Sequence, residues 1–100
     1  MAAQYFRNRY TVVEAVQYGL AEYADNPWEI RGDEIPQWLV DAARDGKVVP
    51  EFRSEDYWYL LVTTPQGQVH AGPDDWIGRD ASEALRVIAS SEMKADWRTA

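Results

Sequence analysis

The chain has 100 residues, 46% hydrophobic and 13% aromatic, no cysteine and a formal net charge of −7. That composition fits one folded domain over 1–100 and excludes a disordered chain, a disulfide framework and a thiolate zinc site. Between 22 and 56 ten acids face four bases, so the basic face that duplex binding needs is not expected.

In chain order, 1–9 is polar and mixed and is expected to fray at its beginning. Residues 10–18 are β-branched and aromatic without Gly or Pro, which predicts a strand, with either face able to be the buried one. Residues 19–31 lack a period, and Asn26-Pro27 predicts a turn. A helix is predicted over 35–45. Asp33 and Glu34 sit at its positive end, Pro36 suits its first position, and Ile35, Leu39, Ala42 and Ala43 form an apolar stripe edged by Trp38. Gly46 suits the left-handed residue that ends it.

Residues 47–53 read as an edge strand, because Pro50 cannot donate to a ladder. Residues 54–56 form a loop. The strongest strand is 57–64, with Trp58, Leu60 and Val62 on one face and Tyr57, Tyr59 and Leu61 on the other. Both rows are apolar or aromatic, so this strand is expected to be central, with a cover on each face. Pro65-Gln66-Gly67 is a tight turn into a hairpin partner over 68–71. Gly72-Pro73-Asp74-Asp75 turns again, into a strand over 76–79 that starts at Trp76. A turn over 80–83 leads to a last strand over 84–89. Ser91 suits the N-cap of a closing helical turn in which Met93 and Trp97 lie at i and i+4. The expected fold is α+β: an antiparallel β-meander of four or five short strands, one main α-helix packed on one face, and a short C-terminal helical turn.

Two segments resemble a family of small, largely uncharacterised proteins encoded by tailed bacteriophages and prophages. Val13-Glu14-Ala15-Val16-Gln17-Tyr18 is similar to that family's N-terminal strand. Pro73-Asp74-Asp75-Trp76-Ile77 with Arg79 is similar to its Pro-Gly-Asp-Trp-Ile turn and strand. Ile35-Pro36-Gln37-Trp38-Leu39 resembles its helix start, and Ser91, Met93 and Trp97 fall where it has an Asp cap, Phe and Tyr. Asp74 stands in place of the turn glycine and Gly78 in place of an isoleucine. The resemblance implies a phage-type accessory protein and brings no catalytic residue with it.

Chemistry has few candidates. A nucleophile needs a base within reach, and His70 is the lone histidine, with no Gly-x-Ser-x-Gly frame around any serine. Asp74 and Asp75 read as turn residues, one accepting backbone N–H groups, rather than as paired acid-base groups. No metal site, cofactor or membrane span is expected, and 1–10 lacks a signal peptide's apolar core, so a cytosolic chain is expected. The surplus row is more informative. Tyr57, Tyr59 and Leu61, beside Glu55 and Asp56, are either covered by the N-terminal residues or the turn carrying Trp97, or form an aromatic patch for a protein partner or a two-fold dimer.

The expected function is non-enzymatic binding of a protein, in particular a basic host protein, with inhibition of a host nucleic-acid-binding or defence factor as its specific form. A virion or assembly component pairing through the 57–61 face is the alternative. An enzyme using Asp75 with His70 is the third.

Overall fold

A computed structural model describes residues 4–19, 28, 30, 35–53 and 57–100. Asn8 makes the first reversal. Its side-chain oxygen accepts the Tyr10 and Thr11 N–H groups, both at 2.9 Å, and its own N–H donates to the Thr11 carbonyl at 3.0 Å. The turn joins β1 (Gln4–Arg7) to β2 (Val12–Gln17), with Phe6 opposite Val13. Residues 4–7 therefore form a strand, with Phe6 buried in a ladder that has a partner on each side.

Helix α1 (Gln37–Arg44) is short and starts later than its stripe suggests. Pro36 is the residue before its first turn, extended at ψ 148°, and its carbonyl accepts the Leu39 and Val40 N–H groups at 3.0 and 3.3 Å. It is the N-cap, not the first helical residue, and Asp33 and Glu34 lie outside the described residues. The helix buries Trp38, Leu39 and Ala42, while Ile35 is exposed. Gly46, at φ +77°, ends it as expected.

Strands β3 (Val48–Arg53), β4 (Tyr57–Thr64) and β5 (Gly67–Ala71) come next. The Thr64 hydroxyl accepts the Gln66 N–H at 3.2 Å and donates to the Gly67 carbonyl at 2.7 Å. Gly67 takes φ +110°, which a side chain would resist. Then come β6 (Trp76–Asp80), β7 (Leu85–Ile88), α2 (Ser90–Asp96) and β8 (Arg98–Thr99). The N-cap of α2 is Ala89, without a side-chain cap, so Ser91 lies within the first turn instead. Asp75 serves this end from a distance, its Oδ1 accepting the Ser90 N–H at 3.4 Å.

The eight strands described form two antiparallel sheets, ordered β7-β6-β2-β1-β8 and β3-β4-β5. The expected meander with one main helix on its face is thus corrected to a mostly β fold. The continuous path breaks between β5 and β6. There the Asp74 N–H donates to the Tyr18 carbonyl and the Tyr18 N–H to the Asp75 carbonyl, each at 2.8 Å. These bonds swing the chain onto β2, which pairs β6 with Val16 opposite Ile77. The three-stranded sheet and α1 are in effect an insertion whose two stems are stitched together at Tyr18.

One core lies between the sheets, holding Val16, Tyr18 and Ile77 against Leu60, Val62 and Ala71, with Trp38 and Leu39 of α1. A second lies on the far side of the larger sheet, where Met93 and Trp97 of the α2 segment cover Phe6, Val13, Ala15 and Ile88. Both faces of β2 are therefore buried, which explains its unclear alternation. An eight-residue helix of about 12 Å cannot cover a sheet alone, so the two sheets cover each other.

Two turns yield tests. Pro73 and Asp74 are the central residues of a turn closed by Asp75 N–H to Gly72 carbonyl at 3.1 Å, with Asp74 at φ +72°. Asp74→Gly should raise stability by about 0.5–1 kcal/mol by relieving this left-handed backbone, read as a higher melting temperature. A lower one would mean the Asp74 side chain outweighs the strain.

At Asp80, Oδ1 accepts the Ser82 hydroxyl at 2.6 Å and the Ser82 and Ala84 N–H groups at 2.9 and 3.1 Å. The Ser82 hydroxyl above all, then the Ala84 and Ser82 amides and the Arg86 charge, hold this carboxyl below its usual range despite some desolvation. A lowered folded pKa stabilises above the unfolded value of about 3.9 and is lost as pH falls through the folded one. The gap in urea midpoint between the native chain and Asp80→Asn should be steady near neutrality and close in acid. A gap that widens in acid contradicts this.

Candidate protein-binding face

Strand β4 sits between β3 and β5, so its side chains alternate between the inter-sheet core and the outside. Leu60 and Val62 point inward and are fully buried. The register then sets Val49 beside Leu61, Glu51 beside Tyr59, and His70 beside Leu61 on the outer side. No described element packs over that side. Val49 is 40% exposed, His70 is exposed, and Glu51, Tyr59 and Leu61 are half-buried.

Tyr59 is held rather than loose. Its hydroxyl donates to Glu51 Oε2 at 2.6 Å, and its ring lies 4.4 Å from the His70 ring, tilted by 53°. A fixed aromatic ring loses little entropy on contact, and an acid and an imidazole at its margins supply direction. Small apolar groups, Val49 and Leu61, flank it.

Of the residues singled out from the sequence, Tyr59 and Leu61 are brought together here. Tyr57 lies in the same strand, opposite Arg53, but its side chain is outside the described set, as are Glu55 and Asp56. Trp97 does not cover this row. It is buried against Phe6 and Met93 across the other sheet, because α2 packs on the far side of the strands that separate them. Val49, Glu51 and His70 join the face without having been expected there. The tight 65–66 turn alone would put His70 beside Leu61, whereas the β3 pairing has no such local signal.

The acid-base candidates are engaged elsewhere. Asp75 Oδ2 accepts the Gly72 N–H at 2.9 Å and its Oδ1 reaches Ser90, while the His70 ring packs at a tilt against Tyr59. Ser82 donates its hydroxyl to Asp80. Among the described residues no group of three or more His, Asp or Glu is arranged to hold a metal, and no helix is long and apolar enough to cross a membrane. Arg79 lies between two shallow clefts of about 320 and 210 Å³. Its guanidinium is 5.7 Å above the Trp38 ring and 4.0 Å from Glu14, a contact that ties α1 to the larger sheet.

No family model, curated protein or solved structure matches the chain.

Proposed function

We propose that the chain is a non-enzymatic accessory protein of phage type that acts in the cytosol by binding another protein through the outer face of β3, β4 and β5. The observation that carries this reading is Tyr59, clamped between Glu51 and His70 beside Val49 and Leu61, on a sheet face that no described element packs over. Aromatic anchors ringed by apolar and polar neighbours concentrate binding energy. Net charge −7 and the Glu51 carboxylate at the centre favour a basic partner, including a host factor whose own ligand is a nucleic acid.

The test is quantitative capture from host lysate with the native chain, Tyr59→Ala, Leu61→Asp and Tyr5→Ala. Tyr5 is exposed on the other sheet and serves as the control. A partner should be lost by at least about tenfold with either face variant, about 1.4 kcal/mol or more, and retained with Tyr5→Ala. Equal recovery with all four chains removes the reading.

A further inference from the structure

The three-stranded sheet has two edges, and they are defended differently. The Thr63 N–H donates to the Lys47 carbonyl at 2.8 Å, extending the β3–β4 ladder by one pair. Odd-numbered residues of β4 therefore bond to β3, and even-numbered ones bond to β5. Val62 accordingly exchanges bonds with Val69, and Leu60 with Ala71. The backbone groups of Gln68 and His70 point away from the sheet. By the same parity Pro50 occupies an outward position on β3, where it has no N–H to offer, and Glu51 adds a charge beside it. The larger sheet ends in β7, with Arg86, and in the two-residue β8, with Arg98.

Strand β5 has none of these guards. Gly67-Gln68-Val69-His70-Ala71 contains no acid, no Lys or Arg and no proline, and Gln68, Val69 and His70 are all exposed. Among the described residues no backbone bond reaches Gln68 or His70 from any other element. Unprotected edges are the ones that take an additional strand.

We propose that the added strand is β5 of a second copy of this chain, paired antiparallel about a two-fold axis at Val69. One feature favours a copy over another protein's strand. Net charge −7 opposes pairing of copies in general, but 67–71 carries no acid and no Lys or Arg to add to that repulsion. The strand is complementary to itself in that register. Gln68 of each copy faces His70 of the other, and the four outward backbone donors and acceptors on each side meet in pairs. Val69, 39% exposed on the inner side, meets its own copy at a non-hydrogen-bonded position, where side chains approach most closely. The product is a six-stranded sheet that leaves the Tyr59 face open in both copies, so a repetitive partner would be held at two points. The pairing does not depend on the partner reading above, and Tyr59→Ala should leave it intact.

Sedimentation equilibrium of the full chain should show the mass rise with concentration from 11.5 kDa toward twice that value. Val69→Lys and His70→Pro should hold it at the monomer, with an unchanged circular-dichroism spectrum for Val69→Lys. The chain has no cysteine of its own, so Val69→Cys gives an independent reading. Its Cα atoms would lie about 4.5 Å apart across the axis, within disulfide reach, and oxidation should yield a covalent dimer. Val49→Cys, exposed on the other edge strand, should not. A chain monomeric at every concentration, equal cross-linking of the two cysteine variants, or protection of the 68–70 amides only when another protein is bound would overturn the proposal.

Discussion

Trp97→Ala should cost about 3–5 kcal/mol of folding stability, the range for deleting a buried indole. The ring is 4% exposed and closes the second core, over Phe6, Val13, Ala15, Ile88 and Met93. It also anchors the elements on either side of it in the chain. Strand β8 is held to β1 through two residue pairs, and α2 has seven residues, too few to be stable as an isolated helix. Trp97 and Met93 supply the buried apolar contacts that fix this segment to the larger sheet. The Nε1–H donates to Glu92 at 3.3 Å and Arg86 lies 5.8 Å over the ring, so truncation also frees two charged partners. Urea denaturation should show the midpoint fall sharply, with a melting temperature lower by more than about 10 °C. A loss under about 1 kcal/mol would mean that the second core is not a unit of the fold.

Leu60→Ala should cost about 2–5 kcal/mol, through the opposite core. Leu60 is fully buried at the middle of the middle strand, facing Val16, Tyr18 and Ile77 across the gap between sheets. Backbone bonds hold β4 on both sides, so the site cannot collapse readily and the cavity term stays large. The adjacent residue gives the contrast. Leu61, on the outer face, should tolerate Ala with a loss of about 1 kcal/mol or less. Equal losses at 60 and 61 would contradict the placement of β4, because they would mean that both of its faces are packed.

That contrast also marks how far the sequence can be read. The period-2 rows of 57–64 are legible as a central strand, and the structure places it between β3 and β5; of the cover expected on each face, the inner one is the other sheet, while no described element lies over the outer one. The turn residues at Gly46 and Gly67 are legible because only particular backbone angles suit those junctions. Pro50 marks an edge for the same local reason. The illegible parts depend on contacts far apart in sequence. Nothing near Trp76 says that its strand will pair with Gln17 rather than continue from Ala71, because the choice rests on two backbone bonds to Tyr18. The clear stripe of the main helix gives it too much weight, since eight residues can cover only part of a sheet. No strand is legible over 4–7 because its partners, Val12–Gln17 and Arg98–Thr99, lie outside any local window. The candidate face is half legible: Tyr59 and Leu61 from alternation, but Glu51 and Val49 only once the β3 register is known.

The most direct test of the binding face is amide hydrogen exchange on the chain alone and in complex with its captured partner. Slowed exchange should be concentrated in 48–53, 57–64 and 67–71, with 76–88 and the α2 segment unchanged. Slowing over 76–88 or α2, with β3 to β5 exchanging as in the free chain, would put the partner on the other sheet and contradict the assignment.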